Sequence, residues 1–266
     1  MVKYYRVSII GSGNVAWHLS RALEDAGHFV LEVYSRDIKN ARALTSRLYD
    51  AEAVESLDFS ESLAEIFILA VSDSAIQEIS SEIILPDNVI IAHTSGAMPI
   101  STLGYAPTEH LGVFYPLQTF SKVKEVNWKV IPILIEAESS EASKALNALG
   151  ESISSKVLAM SSIKRQAIHL SAVFASNFTT YILSLSEEIL MERKLDFDLL
   201  KPLIAETINK CFDMSPFAAL TGPARRGDME TLNTHIQMLD NNKSQKEVYK
   251  VLSQQILDTY FDDFKK

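Results

Sequence analysis

The sequence predicts an α/β domain with a mostly parallel, doubly wound sheet, followed by an all-α domain. Three features predict it. Short apolar runs alternate with helix-period segments as far as Met160. A glycine turn links the first run to the first helical segment, as in folds that wind helices around a parallel sheet. Beyond Met160 the apolar runs stop and only helical patterns follow. The expected domains are 1–155 and 156–266.

Val7-Ser8-Ile9-Ile10 reads as the first strand, and Gly11-Ser12-Gly13-Asn14-Val15-Ala16 as the turn into a helix. Val15, Ala16, Leu19, Ala22, Leu23 and Ala26 recur at the spacing of one helix face, and Gly27 closes it. Strand, glycine turn and helix stand in the order a dinucleotide-binding fold needs. Gly11 permits the tight turn, Gly13 lets the backbone approach a pyrophosphate, and Ala16 allows close helix–sheet contact. The free N–H groups of the helix start attract anions. Gly11, Ser12, Gly13, Asn14 and Val15 are therefore the expected diphosphate site.

Phe29–Tyr34 reads as the second strand. At its end, where an NAD site usually carries an acid, stand Ser35 and Arg36. A hydroxyl and a guanidinium suit a 2′-phosphate, so NADP(H) is expected rather than NAD; otherwise Arg36 is a solvated loop charge. Asp37 reads as the cap of a helix carrying Ile38, Ala41, Leu44 and Leu48. Ala51–Val54 is a short strand candidate. Ile66–Val71 is continuously apolar, as a central parallel strand should be. Val71 and Ser72 end it and are assigned to the cofactor site; Asp73 reads as a helix cap.

Val89–Ala92 is the next strand and His93-Thr94-Ser95-Gly96 its tip. His93 could donate a proton there, and Thr94 and Ser95 could bond cofactor or substrate. The alternative is a turn whose hydroxyls satisfy its own backbone. After the strand Leu111–Phe114, the loop Tyr115–Phe120 offers Tyr115 and Gln118 as walls of a substrate pocket; the alternative is a loop that serves core packing of Phe114 and Phe120. Pro132 demotes the apolar stretch 130–135 to an edge strand. A short helix follows, stopping at Gly150, and Lys156–Met160 is the last strand.

A long helix then runs from Ser161 or Ser162 to about Arg193, with an apolar stripe interrupted by Arg165, His169 and Asn177. A polar line of this kind needs partners. His169 reads equally as a satisfied core histidine or a catalytic one, and Asn177 sits among Phe174, Phe178 and Tyr181. Asp196 caps the next helix, whose buried side is expected to carry Leu199, Leu203, Ile208, Cys211 and Phe212. In the segment 215–228, Arg225 or Arg226 could hold an anionic substrate, or bridge helices or subunits. Asp228 caps a helix containing His235, expected to be interior and hydrogen-bonded. A last amphipathic helix carries Val248, Leu252, Ile256 and Tyr260.

The formal charge of −9 argues against nucleic acid as the main partner. Cys211 is the sole cysteine, which excludes an intrachain disulfide and suits a reducing, cytoplasmic setting. No apolar run suggests a signal peptide or a membrane span, and no metal-ligand cluster is expected.

The order of these motifs resembles the superfamily of pyrroline-5-carboxylate reductases and, more distantly, 6-phosphogluconate and β-hydroxyacid dehydrogenases. The glycine turn, His93–Gly96, Tyr115–Phe120, the His169–Asn177 segment and Thr221–Asp228 are most similar to a branch described as NADP-dependent oxidoreductases. The resemblance implies a Rossmann domain with a helical substrate and dimerisation domain, a homodimer, and an active site between domains. One departure stands out: β-hydroxyacid dehydrogenases carry Lys-x-x-x-Asn on the long helix, and the position four before Asn177 is Val173. The expectation is a hydride transfer between NADPH and a small C=N or C=O compound bearing a carboxylate. His169 would be the acid, with His93 as another candidate. Asn177 would orient the substrate and Arg225 or Arg226 would hold its carboxylate. The rival class is a non-catalytic NADP-binding dimer acting as a sensor or structural partner.

Overall fold

The computed structural model describes residues 3–261. Eight strands form one sheet in the order β3-β2-β1-β4-β5-β6-β7-β8. They are β1 Arg6–Ile10, β2 Phe29–Tyr34, β3 Glu52–Val54, β4 Ile66–Leu69, β5 Ile90–His93, β6 His110–Pro116, β7 Ile133–Ala137 and β8 Val157–Ala159. All neighbours pair in parallel except β6 and β7. Strand order reverses direction at β1 and β4, where open α/β sheets bind ligands beyond their carboxyl ends.

Helices cover both faces, which is why the central strands are apolar throughout. α1 (Asn14–Asp25), α2 (Ile38–Thr45) and α4 (Ser140–Ile153) pack Leu19, Leu23, Leu44 and Leu146 against Val7, Ile9, Val33 and Phe114. On the other face, α3 (Asp73–Glu82) packs Ile76 and Ile79 against Ile10, Phe67 and Leu69. Each such fully buried aliphatic side chain contributes roughly 1.5–3 kcal/mol.

Three local expectations need correction. Pro132 does not make an edge: β7 lies between β6 and β8, and the proline sits just ahead of it, its carbonyl accepting from Leu117 N–H at 2.8 Å. Gly150 does not stop its helix, since α4 continues to Ile153. Its missing Cβ would stand 3.1 Å from the Val157 side chain, so the glycine permits close contact with β8. At the start of α3, Ser72 rather than Asp73 takes the cap position.

α5 spans Ser162–Glu192 and is broken by a π-helical turn at Val173–Phe178. By length and composition alone it is long and apolar enough to cross a membrane, with mean hydropathy 1.2, where the sequence reading finds no such stretch. The chain divides into two compact units, Met1–Asn177 and Phe178–Lys266, so this division falls inside α5.

The second unit is helical: the rest of α5, then α6 (Lys201–Met214), α7 (Met229–Met238) and α8 (Lys243–Phe261), with short turns at Pro216–Ala219 and Pro223–Arg226. Asp228 caps α7, accepting from Thr231 N–H at 3.1 Å. His235 is half-buried, its Nδ1 2.8 Å from the Tyr249 hydroxyl. The expected buried side of α6 is instead open in the single chain. No residue of that helix is buried, and Leu203 and Phe212 are 63% and 82% exposed.

Candidate functional site

A cavity of about 520 Å³ lies beyond the carboxyl ends of β1, β2 and β4. Gly11, Ser12, Gly13, Asn14 and Val15 line one side of it; Ser35 and Arg36 line another; Val71, Ser72 and Thr94 line the third. Gly11 has φ +120°, and a Cβ there would stand 2.3 Å from the Ala70 carbonyl oxygen, so only glycine fits. Gly13 faces open space, with nothing within 4 Å of the position a Cβ would take. α1 begins at Gly13 with no side-chain cap and no acid in its first turn. Its N–H groups are thus available to an anion in the cavity. At the far end Ser12 Oγ donates to Ser35 Oγ at 3.0 Å, and Arg36 and Asn40 complete a polar, cationic wall. Asn40 was not singled out in the sequence. Its signal is faint: an amide about one turn into the helix that follows Ser35-Arg36-Asp37.

The tip of β5 follows the alternative reading, a turn whose side chains bond its own backbone. His93 has no solvent exposure. Its Nδ1 accepts from Ser95 N–H at 3.1 Å and its Nε2 lies 3.3 Å from the Pro99 carbonyl, the pattern of a neutral Nε2–H tautomer. Burial, aided by the nearby Arg165 charge, lowers its pKa to about 4. His93 lines neither this cavity nor the one described next, so its reading as a proton donor is corrected: it braces the loop. Ser95 is likewise a brace, its Oγ accepting from Ala97 and Met98 N–H.

Arg165 holds that loop from the first turns of α5. Its guanidinium is fully buried and donates to the carbonyls of Ser95 and Gly96 at 2.9 and 3.1 Å. It also pairs with Glu136 of β7 at 3.0 Å, and Glu136 in turn accepts from the Ser162 N–H and hydroxyl. Arg165, the first residue of the polar line on α5, therefore finds its partners in the β5 tip and β7. Glu136 gave no signal in the sequence, where it is one acid ending an apolar run.

One turn along from Arg165, His169 faces Tyr115 at the end of β6. Its Nδ1 lies 3.1 Å from the phenolic oxygen, and the rings meet edge-on at 5.9 Å. Gly96 underlies both: a Cβ there would stand 2.5 Å from His169 Nδ1 and 2.7 Å from Tyr115 Cζ. Burial raises the Tyr115 pKa, and the Arg165 charge acts in the opposite direction. Tyr115, His169 and Asn177 line a second cavity of about 580 Å³, together with Gln118, Thr119, Ser176 and Val173. The wider π turn offsets the angular drift between His169 and Asn177 and keeps them on one cavity wall. No Asp, Glu, Lys or Arg lines this cavity among the described residues.

In the second unit, Arg225 is occupied. Its Nη1 donates to the carbonyls of Leu220 and Ala218, and its guanidinium lies 5.0 Å from the Tyr260 ring centroid. This corrects its reading as a free anion-holder. Arg226 is exposed.

Comparison with known proteins adds the following. Residues 2–117 match the model of a Rossmann-like domain, and residues 131–256 match a domain of unknown function, DUF2520. No curated protein matches the chain. Among solved structures it is similar to a protein of Bacteroides fragilis described as a "putative NADP oxidoreductase". The two are 35% identical over 97% of this chain and 100% of that one, with a TM-score of 0.89. A pyrroline-5-carboxylate reductase from Coxiella burnetii shares the fold at 12% identity, over 98% of both chains, with a TM-score of 0.59. An imine reductase from a Pseudomonas species does so at 16% identity, over 95% of this chain and 93% of that one, with a TM-score of 0.63.

Proposed function

The chain belongs to the family of the Bacteroides fragilis protein, and on that premise we propose that it is an NADP-dependent oxidoreductase reducing a small C=N or C=O compound. The observation that carries this reading is the continuity of the β5 tip. Thr94 lines the nucleotide-sized cavity, and two residues on Gly96 packs against the Tyr115–His169 pair. Two residues of chain span at most about 7 Å, which supports a reducing cofactor and a proton source acting on one substrate.

The residues fit a dinucleotide. The uncapped amides of α1 and the open space before Gly13 suit a diphosphate, and Ser35, Arg36 and Asn40 suit a 2′-phosphate. Val71, Ser72 and Thr94 would flank the nicotinamide, which when bound supplies the hydride. The proton is supplied from His169, and Asn177 orients the substrate from the same wall. Arg226 takes the role of holding a substrate carboxylate. The exposed apolar side chains of α6 support a homodimer formed through the helical region, and the cytoplasm remains the proposed setting.

Calorimetry with NADPH and NADH tests the first step. The wild type is expected to prefer NADPH, and Arg36→Ala to weaken NADPH binding about 10- to 100-fold while leaving NADH unchanged, as for loss of a charge-assisted phosphate contact. Equal affinity for both nucleotides before and after the substitution would falsify the 2′-phosphate assignment. Tight NADPH binding without turnover of imines or ketoacids would return the protein to the class of non-catalytic nucleotide-binding dimers.

A further inference from the structure

We propose that Tyr115 and His169 form one proton-delivering pair in which the Tyr115 hydroxyl is the atom that protonates the substrate and His169 Nδ1 restores it. This rests on the reductase reading above and specifies the last proton transfer within it.

The geometry leads there by elimination and by contact. The cavity wall carries no carboxylate, ammonium or guanidinium among the described residues. Among the described residues that line it, Tyr115 and His169 are the ones carrying a titratable group, and they touch at 3.1 Å. Gly96 permits their approach: the two rings leave no room beneath them for even a methyl group at that position. Gly96 itself is fixed through its carbonyl by Arg165. The pair is thus held in register with the β5 tip that reaches the nucleotide cavity. A phenol half-buried beside one cation suits a donor: burial keeps it protonated at neutral pH, and the Arg165 charge favours the phenolate once it forms. Asp73 at the start of α3 also raises the Tyr115 pKa, Glu136 on β7 pairs with Arg165, and His93 on β5 is neutral.

The balance of one turnover is as follows. The C=N or C=O carbon accepts hydride, so the substrate is reduced and the nicotinamide nucleotide oxidised. The π pair moves to the heteroatom, which bonds to the Tyr115 proton as the O–H bond breaks. The phenolate then takes the Nδ1 proton of the His169 imidazolium, and the neutral imidazole regains one proton from solvent. The sum consumes one NADPH and one proton per substrate.

Two measurements on the full chain test it. The first is NMR titration of the His169 imidazole in wild type and Tyr115→Phe, without any substrate. Proton sharing predicts a shift of the His169 midpoint of at least half a pH unit and a changed Nδ1 signal; superimposable titrations would overturn the pair. The second is NADPH oxidation with 1-pyrroline and with pyruvate as probes. Tyr115→Phe is expected to lower kcat about 100- to 1,000-fold with KM and NADPH affinity nearly unchanged, as for loss of a general acid. His169→Gln is expected to flatten the alkaline limb of the kcat profile while retaining more activity than Tyr115→Phe. A Tyr115→Phe protein within threefold of wild-type kcat overturns the proposal, and so does a His169→Gln protein with an unaltered pH profile. Failure of the wild type to bind NADPH, or to turn over either probe, counts against the reductase reading instead, and the NMR titration then decides whether the two groups share a proton.

Discussion

His93 and His169 are the same residue type, 76 positions apart, with opposite prospects. His93 is sealed between Ser95 N–H and the Pro99 carbonyl beside a buried guanidinium, whereas His169 opens on a cavity with a phenol against its Nδ1. The sealed imidazole makes a pH prediction. Its folded pKa of about 4 lies below the ordinary value of 6.5. Between those two pH values the unfolded chain takes up a proton that the native state refuses. Stability from this site is therefore complete above pH 6.5 and is lost as pH falls toward 4, by at most about 3 kcal/mol. Urea midpoints measured from pH 7.5 down to 4 should show that decline, and His93→Gln should remove most of it; an unchanged slope in the variant would dismiss His93 as its source. In the sequence both histidines were visible as candidates. What could not be read was exposure: the loop 95–99 folds back on His93, and Arg165 of α5 stands beside it, while the phenol against His169 comes from β6.

Among elements, the junction of α5 with the β5 tip determines most of the site. Arg165 spans three elements: it donates to the 95–96 carbonyls, pairs with Glu136 of β7, and stands one turn before His169. A fully buried guanidinium carries a large desolvation cost, offset here by four acceptors on four residues, Ser95, Gly96, Glu136 and Ser162. Removing one partner of such a pair typically costs about 3–5 kcal/mol, since the other charge is left buried and unanswered. Arg165→Met is accordingly expected to lower the unfolding free energy by that amount in urea titrations. A change under about 1 kcal/mol, the range of exposed pairs, would show that the junction is solvated. The helical period of α5 was legible, as was its polar line of Arg165, His169 and Asn177. The π turn was not. It departs from regular geometry by one residue at Val173–Phe178, and nothing in the side-chain periodicity marks an inserted i→i+5 turn.

For the molecule as a whole, the two units differ in how well a single chain satisfies them. The first buries a two-sided apolar core around its sheet. The second leaves Leu199, Leu203 and Phe212 largely exposed, and a helix that keeps several large apolar side chains open suits a partner surface. The proposed homodimer therefore predicts a mass near twice 29.6 kDa by light scattering at micromolar protein. Leu203→Asp combined with Phe212→Asp should shift that mass to the monomer; a wild type that is already monomeric removes the dimer. By itself the sequence determined the alternation of strands and helices, the glycine turn, the Ser35–Arg36 edge of the nucleotide cavity and the helical second half. Those features depend on short-range sterics and on the period of apolar residues, which lie within a few positions of one another. Only the tertiary structure decided that His93 is sealed, that Arg225 is spent on carbonyls, that Arg165 meets Glu136, and that Tyr115 meets His169 over Gly96. Each of these is a matter of desolvation or of hydrogen-bond partnership; His93 and Arg225 bond within their own loops, whereas Arg165 with Glu136 and Tyr115 with His169 come from separate strands and helices and are brought together only by packing.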